Sequence, residues 1–424
     1  MRLTCGPYGF AVPGSAGDLA VDLYSQPRAQ NRASAGEAVR SRIISSRLRC
    51  DGRAWDLLSI ALSVVTADLA ALRSVSPDGW TREFELDIAV DDQVFWNEHA
   101  GALADALAFL TTDRWTLRFH HGGMVAPVPA VPQRPSQDSI VLLSGGLDSL
   151  VGVIDLADAG HSPLAVSQIV RGNAGTQREF AAHIGGGLNH LQLSHAAHLP
   201  GPRETSQRTR SLIFIAFGVL AATALACYGD ATSVPLYLCE NGFIAVNPPL
   251  TGSRIGSLST RTAHPEFLGR LQQVLDAAGL RVRITNPYAT CTKGEMLLQC
   301  TEQSLLRALA ATSTSCGRFQ RFAYRHCGRC VPCQVRRAAF LAWDVPDTTN
   351  YVYEPLGRRG NDYSGFDDVR SVAVALATAR RAGVQSWTRN ALASSFIDNH
   401  PQLLAMIERG VAELRNLHRA CGVR

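Results

Sequence analysis

The sequence predicts an α/β protein, a parallel sheet with helices on both faces, preceded by another α/β unit and followed by a helical tail. Three observations carry this. Short, branched apolar runs at 140–143, 164–170, 235–238 and 284–287 alternate with stretches of helical spacing, as buried parallel strands and their crossovers do. The first run stops at two glycines and restarts as a helix. A chain of 424 residues with 46% hydrophobic content is long enough for two or three domains with substantial cores.

Taken in order, residues 1–124 form an accessory α/β unit. Residues 54–72 are apolar at helical spacing, 82–90 alternate as a half-exposed strand, 98–110 are helical again and 114–120 alternate. No chemical motif occurs there, and Cys5 and Cys50 read as core thiols because no second ligand accompanies them at chelating spacing. Between 125 and 137, Pro127, Pro129, Pro132 and Pro135 mark a stiff linker. A catalytic domain over 138–343 and a helical extension over 344–424 follow. In the extension, 367–381 and 401–420 carry apolar residues at three- and four-residue spacing, including Leu403, Leu404, Ile407, Val411, Leu414 and Leu417, a core or interface pattern.

The chain is organised around the loop that ends its first catalytic-domain strand. Leu143 and Leu150 flank Ser144, Gly145, Gly146, Leu147, Asp148 and Ser149. Paired glycines let successive N–H groups converge on an oxyanion, and the next helix adds its free N–H groups and dipole. This is a phosphate site. A tight turn with Asp148 or Ser149 as helix cap is the plainer alternative, and the two are compatible. No G-x-x-x-x-G-K-[ST] string occurs, which disfavours a kinase or motor. The string SGGLDS after a strand resembles the PP-loop of the N-type ATP pyrophosphatases, which implies cleavage of ATP between its α and β phosphates, with Mg2+ neutralising the pyrophosphate.

Other candidates follow from position, because parallel α/β sheets bind ligands beyond the carboxyl ends of their strands. Arg210 and Ser211 open a long apolar helix, where an arginine and free N–H groups suit phosphate oxygens. Glu240 and Asn241 follow the strand at 235–238 and offer a carboxylate and an amide to a heterocyclic base. The polar segment 251–262 suits a lid. Thr292, Lys293, Gly294 and Glu295 open a helix expected to run to about residue 310, with Glu295 a third candidate substrate contact. Lys293 is the only lysine, against forty arginines, so a compact ammonium is needed there. A cation at a helix N-terminus is unfavourable unless an anion lies nearby, which suggests a bound phosphate or carboxylate.

Cys316, Cys327, Cys330 and Cys333 are spaced C-x10-C-x2-C-x2-C, which lets four thiolates surround one tetrahedral Zn2+; an iron–sulfur cluster is the alternative. Together with the PP-loop, the Arg210–Ser211 helix start and the Thr-Lys-Gly-Glu stretch, the cysteine arrangement ending CGRCVPCQVR resembles QueC, the 7-cyano-7-deazaguanine synthase family. The resemblance covers residues 139–343. It implies an ATP-dependent ligase with structural zinc, which adenylates the carboxylate of 7-carboxy-7-deazaguanine and passes the acyl group to an amine. The biosynthetic enzymes use ammonia and a second ATP to reach the nitrile. After the second strand the family's aromatic and Gly-Gln-Arg-His sequence is replaced by Arg171, Gly172 and Asn173, with Gln177 and Arg178 further on. The flanking regions resemble the longer QueC-like proteins of antiphage defence operons, of the QatC type, which implies an amine on a protein partner from the same operon.

Two further readings stand beside this one. A PP-loop sulfurtransferase acting on tRNA needs a redox-active cysteine pair and a strongly basic surface. A net charge of +5 and no long basic block leave nucleic acid unsupported. A nucleotide-binding sensor or scaffold subunit would bind ATP without releasing pyrophosphate. The longest apolar stretch, 211–226, is too short for the roughly 20 residues of a membrane span. With no basic-then-apolar segment at the start, the expectation is a cytoplasmic protein without membrane association.

Overall fold

The computed structural model describes residues 1–15, 17–230, 232–252, 261–357 and 368–423. Its frame is two wholly parallel five-stranded sheets. The first contains β1 (Arg2–Gly6), β2 (Leu19–Leu23), β3 (Ala33–Ala35), β4 (Glu83–Val90) and β5 (Arg114–His121), in the order β3-β2-β1-β4-β5. The second contains β6 (Ser139–Leu142), β7 (Pro163–Gln168), β8 (His190–Leu193), β9 (Val234–Tyr237) and β10 (Val282–Thr285), in the order β10-β9-β6-β7-β8. Helices flank both sheets, and a helical region closes the chain. The α/β class with a parallel sheet is as expected, and the second sheet is consistent with a PP-loop fold.

Read from its β8 edge, the second sheet repeats the strand order of the first. In each, the order reverses beside the first strand, where α/β sheets open their ligand crevice. The SGGLDS loop lies at the second of these. In the first sheet Phe10 folds back over Gly6 at the carboxyl end of β1, so closely that a Cβ there would lie 2.6 Å from the ring.

One hydrophobic core runs through both sheets. It joins Leu3, Val21 and Leu86 to Ile140, Val166 and Leu236 through the helices Gly52–Ala70 and Arg210–Ala222, which pack against each other. β4 is buried along most of its length, because it lies inside the sheet between β1 and β5 and beneath the first of those helices; the expected alternation is confined to Glu83 and Glu85. The expected helix over 292–310 is two, Lys293–Gln299 and Gln303–Leu309. The break lies where Asp155 takes both the N–H (2.9 Å) and the hydroxyl (3.2 Å) of Thr301. The tail forms Asp368–Ala382, Val384–Leu392 and His400–Ala420, the second of which its short polar sequence did not announce. Most of the expected lid, residues 253–260, lies outside the described residues. Among the described residues no helix is long and apolar enough to cross a membrane.

A buried ionic network ties the first sheet's unit to the second sheet. Arg73 and Arg82 both reach Asp113, at 2.9 and 2.7 Å, and Arg82 also holds Asp68 Oδ1 at 2.5 Å. The other oxygen of Asp68 accepts the N–H groups of Arg208 (2.8 Å) and Thr209 (2.9 Å) and the Thr209 hydroxyl (2.8 Å), immediately ahead of the Arg210 helix. An acid inside an otherwise apolar helix must find such partners.

Candidate active site

Beyond the carboxyl end of β6 the chain turns at Gly145, whose φ of +83° is the left-handed region that favours glycine. The helix Leu147–Asp158 begins there. Its first bond back to the loop is Leu150 N–H to Gly146 O (3.0 Å), so the N–H groups of its first turn have no intrahelical acceptor. Ser144 is exposed; its hydroxyl accepts from Gly146 N–H at 3.1 Å and lies 3.1 Å from Ser149 Oγ. The side chains of Leu143, Leu147 and Leu150 turn into the core, leaving only their backbone for a ligand. Gly145→Ala is expected to cost about 1–2 kcal/mol, the left-handed penalty of an L-residue, and to weaken ATP binding in a nucleotide titration.

Asp148 and Lys293 meet across this loop as a buried ion pair, on the side of β9. Asp148 Oδ2 also accepts from Asn241 Nδ2 at 2.8 Å. Burial alone would raise the Asp148 carboxyl, but the Lys293 ammonium, a proton shared with the Glu240 carboxyl, and hydrogen bonds from Lys293 and Asn241 hold it below its usual range. The anion that Lys293 calls for is thus Asp148. Asn241, placed in the sequence as a base reader, is fully engaged: its Oδ1 accepts from Ile244 N–H (2.9 Å) and its Nδ2 bonds Asp148 and Glu240 Oε1 (3.1 Å). It orients the two carboxylates. Glu240 remains at the half-buried rim of the crevice.

Glu295, expected to touch substrate, has a different job in the structure. It closes a capping box, its Oε2 accepting from Thr292 N–H at 2.8 Å while Thr292 Oγ1 accepts from Glu295 N–H at 3.1 Å. Its other oxygen pairs with Arg409 of the last helix. An N3 glutamate in a capping box turns back to its cap, and that is the contact Glu295 makes here.

On the β7 side, Arg210 is exposed, and among the described residues no carboxylate pairs with it. Its Nε donates to Gln168 Oε1 at 3.3 Å, which orients that amide to donate from Nε2 to His195 Nδ1 at 3.1 Å. Burial, aided by Arg210 and Arg203, pulls His195 down to about 4, so it is neutral at physiological pH and accepts this bond. The Ser211 hydroxyl is buried and has no hydrogen-bond partner among the described residues. Gln177 links the two sides of the site, donating to Ser144 O (3.2 Å) and Gln168 O (3.1 Å). Nothing in the sequence singled out Gln168 or His195.

The four cysteines converge. Their Sγ atoms all lie within 4.8 Å of one another, with Cys316 to Cys330 and Cys327 to Cys333 each at 3.9 Å. A tetrahedron with Zn–S bonds of about 2.3 Å has edges of about 3.8 Å, so the set fits zinc. Backbone N–H groups of Arg318 and Cys327 point at Cys316 Sγ, and those of Arg329 and Cys330 at Cys327 Sγ, at 3.3–3.4 Å, as thiolates require. The arm leading to Cys316 roofs the phosphate loop, Thr314 N–H donating to Gly145 O at 2.9 Å. Fully buried Arg336 pins that arm through Ala310 O (2.7 Å), Ser313 Oγ (2.8 Å) and Ser315 Oγ (3.2 Å).

Residues 262–344, which hold Lys293 and all four cysteines, match the family model described as queuosine biosynthesis protein QueC. This match supports the QueC family. The QueC-like segment starts after the phosphate loop in sequence but packs around it in space, through Lys293 on one side and Thr314 on the other. QueC proteins are ATP-utilising enzymes of the PP-loop class, and a buried four-cysteine group fits the zinc they often bind. No curated protein matches the chain.

Proposed function

We propose that the protein adenylates the carboxylate of a 7-deazaguanine, 7-carboxy-7-deazaguanine, and transfers the acyl group to an amine. The observation that carries this is the meeting of Lys293 and Asp148 beside the SGGLDS loop, with the cysteine arm over it, inside a QueC-like segment. The N–H groups at Gly145 to Ser149 receive the ATP phosphates, with Mg2+ on the pyrophosphate. A carboxylate oxygen attacks the α phosphorus, the bond from that phosphorus to the bridging oxygen breaks, and pyrophosphate leaves with the electron pair. Arg210 and Lys293 neutralise the charge that develops. The amine then attacks the acyl carbon, AMP departs with the bonding pair, and the amine proton passes to solvent.

In this reading the acceptor is an amine on a partner protein from the same operon, the setting implied by the resemblance to the longer defence-associated forms. Ammonia is the competing acceptor and would lead to the free nitrile. Pyrophosphate release is measured with ATP, Mg2+ and 7-carboxy-7-deazaguanine, alone, with ammonia and with the neighbouring operon protein, followed by intact mass spectrometry. The expected result is pyrophosphate that depends on the deazaguanine, with a mass gain on the partner. Conversion of the free base to its nitrile would overturn the protein acceptor, and ATP bound without pyrophosphate in every arm would overturn the chemistry in favour of a sensor.

A further inference from the structure

Each of the two helices that carry the site's cations begins at a buried threonine bonded to a carboxylate from a distant helix, although the Lys293 helix also has its own capping-box acid, Glu295. The Arg210 helix is preceded by Thr209, fully buried, whose hydroxyl and N–H are both taken by Asp68 from the helix Gly52–Ala70. The Lys293 helix is capped by Thr292, also fully buried, whose hydroxyl donates to Glu413 from the helix His400–Ala420. Glu413 also takes the Gly294 N–H, and burial pushes its carboxyl up to about 6. Each contact therefore joins a buried threonine at a helix start to a carboxylate from outside the second sheet's own strands and crossovers.

The partners of these carboxylates make the contacts stiff. Asp68 is held by Arg82, which is held in turn by Asp113. Glu413 lies one helical turn from Arg409, whose guanidinium reaches both Glu295 and Thr290 O (3.0 Å) and so fastens the loop ahead of the same helix. The last helix also packs on the short turn Gly242–Ala245 that follows Glu240 and Asn241. A negative charge is favourable at a helix N-terminus, and it fixes the helix along its axis. Lys293 is the first residue of its helix and Arg210 the first of its own, so any slip of either start moves a cation directly.

We infer that Asp68 and Glu413 are positioning residues, by which the N-terminal unit and the C-terminal helix set Arg210 and Lys293 against the phosphate loop. The flanking regions are then parts of the active site's frame. This rests on the proposed ATP chemistry only for its kinetic readout. The structural readout does not, because Lys293 is the only lysine of the chain. Protein grown with [ε-13C]lysine gives a single side-chain resonance that reports this ammonium alone.

The test compares Glu413→Ala, Glu413→Gln and Thr209→Val in the full chain. Glu413→Ala is expected to shift the Lys293 resonance and to lower kcat for pyrophosphate release about tenfold or more, as small displacements of catalytic groups do, with KM for ATP little changed. Glu413→Gln, which keeps the acceptor for Thr292, should return both toward the parent. Thr209→Val, which removes one bond to Asp68 and keeps the side chain's shape, should lower kcat and leave the Lys293 resonance in place. A folded Glu413→Ala protein with an unmoved resonance would overturn the inference whether or not the protein cleaves ATP. So would a loss of kcat in Thr209→Val that only tracks its unfolded fraction.

Discussion

Lys293→Met is expected to destabilise the protein by about 3–5 kcal/mol, because it leaves Asp148 charged, buried and without its ammonium. Pyrophosphate release should fall by about 10²–10³, the usual effect of removing one electrostatic stabiliser. The two losses separate in the double variant Asp148→Leu/Lys293→Met. An apolar pair replacing a buried ion pair recovers most of the stability, and it recovers no catalysis. Lys293→Arg keeps the charge but brings a planar fork into a space shaped for a point cation, and it too should stay inactive. Urea unfolding and the pyrophosphate assay check these outcomes together. A destabilised but fully active Lys293→Met would reduce the pair to a structural role.

The pH dependence of stability gives an independent sign. The Asp148 carboxyl is held below its usual value in the fold, so the stability it contributes is present above pH ~4 and is lost as pH falls through the lowered value. In Lys293→Met the same carboxyl keeps its burial and loses its cation, so its folded pKa moves above the unfolded one. Its contribution then improves on acidification. As pH falls from about 4 to about 2 the parent should lose stability and the variant should gain it relative to the parent, a difference in sign that two unfolding series would reveal.

How far the sequence carries can be seen at Lys293 itself. Its isolation among forty arginines and its place in a helix's first turn pointed to a bound phosphate or carboxylate, and the structure instead places a carboxylate of the chain itself, Asp148, against it. The strands of the second sheet were legible because a strand buried on both faces reads as a short branched run. His190–Leu193 was not, since two of its four residues are only half-buried and break that run. The cysteine spacing announced the cluster, and the loop string announced the turn at Gly145. What the sequence could not show is which distant carboxylate reaches which helix start. Asp68 lies 141 positions from Thr209 and Glu413 lies 121 from Thr292, and such pairings are set by packing, not by local pattern. Glu295 illustrates the local side: the T-x-x-E spacing of Thr292 and Glu295 is itself a capping-box pattern, and the structure forms that box.

Removing the metal from the four-cysteine site is expected to open the roof of the phosphate loop before it alters the strands beneath. Zinc in such a site contributes folding free energy directly, roughly 10–16 kcal/mol in zinc-finger peptides at neutral pH. Between Cys316 and Cys330 the chain is mostly irregular, with a short 3-10 turn at Gln320–Phe322, and the helix Val331–Trp343 carries Cys333. Arg336 would still hold Ser313 and Ala310 without the metal, so the damage should begin at Cys316 and reach Thr314 next. Loss of the Thr314 bond to Gly145 O frees the loop, and ATP affinity should fall while the β6 to β9 pairing persists. Chelation followed by hydrogen exchange tests this order: protection should vanish first over 314–330, then over 144–149, and last in the strands. Cys327→Ser, at a fully buried ligand position, should reproduce the pattern without chelator. Colourless protein carrying zinc is the expected starting material, since an iron–sulfur cluster would absorb in the visible. If the metal-free protein binds ATP as the parent does, the cysteine arm is not the roof of the site, and its bond to Gly145 is incidental.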